Sequence, residues 1–269
     1  MDVFIDGERL DAADATISVL DLGLVRGVGV FEAIKAYDGA PFTLTEHLDR
    51  LARSAAANGT PLADRSSLEA WCREAAEVGG TCILRVLCTP GGMGGATPPR
   101  TVVLVEDLPA LPATFRLKTV VAPWHPAGAE WGLAGAKTLS YGPNMHATHE
   151  ATSAGFDDAL LVARDGTVLE GPTSAVGWVV DGDVVFPSLD LGVLASVTRT
   201  VAERLVADSG RELRTGRFGL DDVRAADEVM VLSTVKEVAP VVAIDDTTFE
   251  PGPVTADLAR RFAALTAEA

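Results

Sequence analysis

Lys137 is the residue in this chain whose surroundings first suggest covalent chemistry. The sequence holds four lysines, Lys35, Lys118, Lys137 and Lys236. Three of them fall in runs that read as strands or strand ends with ordinary solvent-facing alternation. Lys137 instead follows Gly132, Ala134, Gly135 and Ala136 and precedes Tyr141 and a Pro143-Asn144 turn. Small residues let backbone close around a side chain. An amine partly withdrawn from water loses proton affinity and becomes a usable nucleophile. A surface lysine on a loop is the plainer reading of the same context, and these residues alone leave both open.

Other residues could serve such an amine. The turn Leu169-Glu170-Gly171-Pro172-Thr173-Ser174 brings a carboxylate and two hydroxyls together. Arg85 lies inside the apolar run 83–88, where an unpaired cation is costly and an anion partner is expected. Ser196 can cap a helix whose first turn offers the Val197 and Thr198 N–H groups and the Thr198 hydroxyl. With the helix dipole this is a credible phosphate seat, although an ordinary capped helix has the same pattern. Ser233-Thr234, after a strand over 228–232, is a second turn that can face an anion. His146, His149 and Glu150 are of metal-ligand type, but a solvated helix face explains them.

The elements that must position these groups are readable in part. Residues 3–10 read as a hairpin turning at Asp6-Gly7. A glycine-punctuated loop from Asp21 to Gly29 enters a strand over 30–37, and Asp38-Gly39 turns the chain again. Those glycines are no dinucleotide fingerprint, because the loop enters a strand and no helix-opening third glycine follows. Thr45 caps a helix to Asn58, stopped by Gly59, with Leu48, Leu51 and Ala55 on one stripe and His47, Arg50 and Ser54 on its neighbour. A second helix covers 66–78, strands cover 83–88 and 101–105, and the glycines 91–95 form a loop between them. The two prolines of 106–113 mark a linker. Beyond it come a strand over 115–122 and a helix over 144–153. Short strands at 159–163, 168–169, 175–180 and 184–186 read as an antiparallel meander. The helix after Ser196 presents Val197, Val201 and Leu205 on one face and stops at Gly210.

Composition sets outer bounds. The 269 residues are 48% hydrophobic and carry a net charge of −16, and mean hydropathy is +0.23. Such a chain can bury a large core and has room for two modest domains. Its acidity argues against nucleic acid as a partner and makes each arginine informative about where an anion is met. The acidic start lacks the pattern of a signal peptide, and no apolar run suggests a membrane span. Cys72, Cys82 and Cys88 show no paired spacing and fit free thiols in a reducing cytoplasm.

Assembled, the pieces resemble the class IV aminotransferases, the fold-type IV pyridoxal-phosphate enzymes that include D-amino-acid and branched-chain aminotransferases and aminodeoxychorismate lyase. The resemblance spans nearly the whole chain. It is carried by Arg26-Gly27-x-Gly29-Val30-Phe31-Glu32, by His47-x-x-Arg50-Leu51-x-x-Ser54-Ala55, and by Lys137 with Asn144 and Glu150-Ala151. It continues through Gly155-x-Asp157-Asp158-Ala159, Asp165-Gly166-x-Val168-x-Glu170-Gly171-x-Thr173-Ser174, Val197-Thr198-Arg199 and Thr234-x-x-Glu237-Val238-x-Pro240-Val241. It implies an α/β (α+β) fold of two domains: an N-terminal α/β domain over 1–107, a linker over 108–114, and a cofactor-binding domain over 115–269. The latter would be a barrel-like, mostly antiparallel sheet with helices. It also implies pyridoxal 5'-phosphate at the domain interface and a homodimer whose partner helps complete each site.

By that resemblance Lys137 forms a Schiff base with the cofactor and shuttles a proton between Cα and C4′. Glu170 pairs with the pyridine nitrogen, keeping it protonated so that the ring draws electrons. Arg50, Val197, Thr198 and Thr234 hold the phosphate, Ser174 also touches the cofactor, and Tyr141 meets its phenolic oxygen. Phe31, Arg26 and Arg85 line the substrate side. Some family features are missing: Val28 replaces a frequent acidic residue, Ala175 a frequent asparagine, and Pro90 an arginine that often meets substrate carboxylate. The implied activity is amino transfer between an amino acid and a 2-oxo acid. Aminodeoxychorismate lyase, releasing pyruvate and 4-aminobenzoate, is the alternative, favoured by the segments around Lys137 and Glu170. A non-catalytic ligand-binding relative ranks last, because both Lys137 and Glu170 are present.

Overall fold

The computed structural model describes residues 1–267, and the chain separates into two units. The first comprises Met1–Pro109, Ala136–Tyr141 and the last described residues from Thr266; the second comprises Ala110–Gly135 and Gly142–Leu265.

Strands β1 (Asp2–Ile5), β2 (Glu8–Asp11), β3 (Val30–Tyr37), β4 (Ala40–Pro41), β5 (Cys82–Thr89) and β6 (Arg100–Glu106) form the sheet of the first unit, in the order β2-β1-β6-β5-β3-β4. Every pairing in it is antiparallel. A short helix α1 (Leu22–Arg26) precedes β3, and α2 (Leu44–Asn58) and α3 (Arg65–Gly79) lie between β4 and β5. Side chains alternate across a strand. Val30, Ile34 and Ala36 of β3, with Leu84 and Val86 of β5, meet Leu48 and Leu51 of α2 and Leu68 and Cys72 of α3 in one core. Glu32 has the same parity as Ile34, so a carboxylate is sent into the layer beneath the helices. Phe31 and Arg85 have the other parity and belong to the opposite face.

The second unit contains β7 (Phe115–Val121), β8 (Asp158–Val162), β9 (Ala175–Val180), β10 (Asp183–Pro187), β11 (Leu213–Gly216), β12 (Glu228–Ser233), β13 (Glu237–Ile244) and β14 (Thr247–Thr248). Their order is β11-β10-β9-β12-β13-β7-β8, with β14 on β13. Antiparallel pairings join β9 to β10 and β12, and β13 to β12 and β14. Parallel ones join β10 to β11, β7 to β13 and β7 to β8. The sheet curls at its ends. Leu169 N–H donates to Leu161 C=O of β8 (3.0 Å), and neighbouring Val168 N–H donates to Phe218 C=O just beyond β11 (2.9 Å). The barrel-like character and the antiparallel majority are as expected. The helices are α4 (Gly142–Ser153), α5 (Val197–Asp208), α6 (Leu220–Arg224) and α7 (Pro253–Thr266).

Two expectations need correction. The run 159–186 is no simple meander: β8 pairs parallel with β7 at one end of the sheet, whereas β9 and β10 form a hairpin elsewhere. The turn 170–174 carries the chain from one place to the other. The domain division also differs, because Ala136–Tyr141 clusters with the first unit although sequence order put it in the second. Its backbone explains this. Phe31 N–H donates to Lys137 C=O (3.0 Å) and Leu139 N–H to Gly29 C=O (2.9 Å), so the segment runs antiparallel to the start of β3. The linker prolines do lie where neither helix nor strand forms, between β6 and β7.

Candidate active site

In the first unit Lys137 is fixed through its backbone before its side chain is considered. Besides the two bonds to β3, Lys137 N–H donates to Ser54 Oγ on α2 (3.0 Å). Gly29 makes the close approach possible. A Cβ there would lie 2.5 Å from Cys88 O and 2.5 Å from Leu139 Cδ1. Thus anchored, Lys137 is 9% exposed, with Nζ 4.3 Å from the centre of the Phe31 ring and 5.4 Å from that of Tyr141. The two rings meet edge to face at 5.1 Å. A primary amine is therefore held among aromatic rings on the sheet face opposite α2 and α3.

The helix-facing side of β3 carries a charged cluster. Glu32 is fully buried and takes Arg50 Nε at Oε1 (2.7 Å) and Arg50 Nη2 at Oε2 (2.6 Å). His47 Nδ1 donates to Glu32 Oε2 (2.8 Å). Burial by itself raises the Glu32 pKa. The charge and hydrogen bonds of Arg50, helped by His47, outweigh it and bring the carboxyl down to about 2. Burial pushes the His47 imidazole below its ordinary value; the bond and charge of Glu32 oppose this, and the charges of Arg50 and Lys137 reinforce it. Arg50, expected to hold phosphate, thus has its guanidinium plane set by Glu32. Arg85 finds its anion in Glu106, with Nε at 2.8 Å from Oε1 and Nη2 at 2.7 Å from Oε2. Arg26 is exposed in the last turn of α1.

The second unit brings together a different set. Glu170 accepts the Leu194 N–H at Oε2 (3.0 Å), and His125 Nε2 lies 3.5 Å from its Oε1. Leu194 stands in the loop that enters α5. Ser196 caps that helix as expected, its hydroxyl accepting Arg199 N–H (3.2 Å). The Val197 and Thr198 N–H groups come earlier in the first turn, where a helix supplies no acceptor of its own. Both residues are buried, as is Ser174. Thr234 lies in the turn between β12 and β13, and the same turn holds Lys236. Lys236 was expected to face solvent, and here the structure differs. Its Nζ is buried against Asp158 (2.5 Å) and within 3.3 Å of Thr173 Oγ1.

The expected residues therefore fall into two groups. Phe31, Lys137, Tyr141, Arg50, Arg85 and Arg26 belong to the first unit; Glu170, Ser174, Val197, Thr198 and Thr234 belong to the second. Glu32 stood in a recognised motif without a role, and its parity within β3 was the signal for burial under α2. His125 was passed over, and no local pattern marks it. His146, His149 and Glu150 are exposed along α4. All three cysteines are buried free thiols, and burial pushes Cys72 up to about 12.

Each unit offers its own set of groups. The first unit offers a buried primary amine flanked by rings. The second offers a carboxylate, a helix N-terminus and hydroxyls. A carbonyl, a basic ring nitrogen and a phosphate are the complementary groups, and pyridoxal phosphate carries all three.

Comparison with known proteins bears on this chemistry. Residues 29–244 match the family model for amino-transferase class IV. A bifunctional aminodeoxychorismate lyase / D-amino acid transaminase of Mycobacterium tuberculosis is 35% identical over 199 residues, covering 68% of each protein. A solved hypothetical aminotransferase from Mycobacterium tuberculosis, in PLP-bound form, superposes with a TM-score of 0.93 at 26% identity, covering 100% of this chain and 99% of that one. A branched-chain aminotransferase from Thermoproteus uzoniensis, solved with norvaline, gives a TM-score of 0.88 at 25% identity over 99% of this chain and 94% of its own. With a family match across most of the sequence and a buried lysine tied to β3, the chain belongs to the class IV aminotransferases.

Proposed function

We propose that this protein is a pyridoxal-phosphate-dependent aminotransferase that moves an amino group between an amino acid and a 2-oxo acid, with Lys137 as the catalytic amine. The observation that carries the reading is the placement of Lys137: a buried amine beside the Phe31 and Tyr141 rings, on a segment anchored to β3 and α2. Class IV aminotransferases are pyridoxal-phosphate enzymes, and the donor set fits that cofactor.

When bound, pyridoxal phosphate supplies a carbonyl that condenses with amines and a ring that takes up the electron pair left when a Cα–H bond breaks. The remaining work falls to the chain. Lys137 Nζ would hold the cofactor through its carbonyl carbon. The same amine would move the proton between the substrate Cα and C4′. Glu170 holds the proton on the ring nitrogen, since a carboxylate favours the charged form of a base beside it. The first turn of α5, with Thr198, Thr234 and Ser174, receives the phosphate, helped by Arg50. Tyr141 meets the phenolic oxygen. Phe31 walls the substrate side and excludes water from the amine, with Arg85 and Arg26 as the cations proposed to meet substrate carboxylate.

A second reading, aminodeoxychorismate lyase, is supported by the bifunctional relative and by the segments around Lys137 and Glu170. It uses the same amine and the same acid, and parts from amino transfer after the Cα proton has been removed. The two separate cleanly in solution. Incubation of the holoenzyme with a panel of amino acids is expected to shift its absorbance to that of the pyridoxamine form, with the 2-oxo acid appearing in equal amount. Pyruvate release from aminodeoxychorismate without such a shift would replace the transaminase reading by the lyase one. The proposed site belongs to a homodimer in the cytoplasm.

A further inference from the structure

His125 has no part in the roles above, yet its surroundings are built. It sits in a turn whose backbone is pinned at several points. His125 N–H donates to Ala122 C=O (3.1 Å), Gly128 N–H to Leu191 C=O (3.0 Å), and Arg217 Nη2 to Ala127 C=O (2.7 Å). Ala127 is held at φ 49°, a left-handed conformation that a residue with a Cβ adopts only when its surroundings impose it. In that conformation Ala127 N–H donates to His125 Nδ1 (3.1 Å). A ring nitrogen that accepts carries no proton, so the neutral imidazole is protonated on Nε2. Protonating Nδ1 as well would set two N–H groups against each other.

The Nε2–H group is buried, makes no hydrogen bond among the described residues, and lies 3.5 Å from Glu170 Oε1. Leaving such a donor without an acceptor is costly, and a movement of about half an ångström would give it an ordinary hydrogen bond to the carboxylate.

We propose that His125 is a positioning residue for Glu170, an uncharged donor that fixes the carboxylate from behind while Leu194 N–H fixes its other oxygen. The inference rests on reading Glu170 as the partner of the cofactor's ring nitrogen. Its chemical point is the absence of charge. A cation in this place would lower the proton affinity of Glu170 and weaken its hold on the ring-nitrogen proton. A neutral N–H orients the carboxylate with a far smaller loss of basicity.

The test pairs a spectrum of the full chain without cofactor with binding by two variants. In 15N-histidine-labelled protein, His125 is expected to show a protonated Nε2 and a bare Nδ1, with the Nε2 signal moving in Glu170→Gln. Affinity for pyridoxal phosphate is expected to fall about 10-fold or more in His125→Leu. His125→Gln, whose amide can reach the same oxygen, is expected to stay within about 3-fold of the parent. A protonated Nδ1, an Nε2 signal indifferent to Glu170→Gln, or equal losses in two folded variants would overturn the proposal, as would undiminished affinity in His125→Leu. Failure of the parent chain to take up pyridoxal phosphate would overturn the cofactor reading instead, and the nitrogen spectrum would still decide whether His125 and Glu170 are paired.

Discussion

Because Glu32 is fully buried and takes hydrogen bonds from two basic side chains, its ionisation is tied to folding. Its pKa in the folded chain, about 2, lies below the ordinary 4.5, so its contribution is complete above about pH 4.5 and is lost as pH falls through about 2. His47 acts in the same direction. Held below its ordinary 6.5, it takes up a proton more readily in the unfolded chain, so acidification below that value also favours unfolding. Glu32→Gln removes a buried countercharge of Arg50 and is expected to cost about 3–5 kcal/mol at neutral pH. It is also expected to flatten the loss of stability between pH 4.5 and 2. Denaturant unfolding followed across pH measures both, and a Gln variant as stable as the parent would refute the coupling. At this scale the sequence was informative about residue types but not about partners. Arg85 was expected to need an anion and has Glu106. Arg50 was read for phosphate with no hint of Glu32, whose partnership depends on which way β3 faces α2. Lys236 looked solvent-facing until the turn after β12 brought it to Asp158.

Elements place the reacting groups, and two substitutions test how. Gly29→Ala introduces a Cβ that meets Cys88 O and Leu139 Cδ1, so either the start of β3 or the Lys137 segment must move. A destabilisation of about 1–3 kcal/mol is expected, together with loss of cofactor retention beyond what unfolding explains. Retention equal to the parent in the folded variant would contradict the anchoring of Lys137 by β3. Ser196→Ala removes the cap of α5 and is expected to cost about 1 kcal/mol. It should also weaken pyridoxal phosphate binding several-fold by fraying the first turn, and equilibrium dialysis reads that directly. Unchanged affinity would mean that the phosphate is held elsewhere. The cap was legible because it is local: a serine, then an apolar stripe of helical period. So were α2 and α3 to within a residue or two, although Thr45, expected to cap α2, lies in its first turn and Thr43 takes the capping position. The position of β8 was not, because its neighbour is β7, a parallel strand from before the Lys137 segment, and local alternation does not say which strand lies beside which.

For the whole molecule, the sequence conveyed two bodies and a linker, and the proline-rich stretch does separate β6 from β7. It did not convey that residues 136–141 cluster with the first body, since main-chain bonds to β3 formed across more than a hundred residues decide that. The family resemblance carried information that periodicity could not, because motif order along the chain records a three-dimensional arrangement indirectly. The central claim is that one particular amine holds the cofactor. Two lysines are well buried, and their settings differ: Lys137 lies beside two aromatic rings, whereas Lys236 Nζ donates to Asp158. Borohydride reduction of the holoenzyme, followed by proteolysis and mass mapping of the pyridoxyl group, distinguishes them. The account predicts a single label on Lys137, absent from Lys137→Ala, which should also lose amino transfer. A label on Lys236, or a Lys137→Ala variant with undiminished turnover, would contradict it.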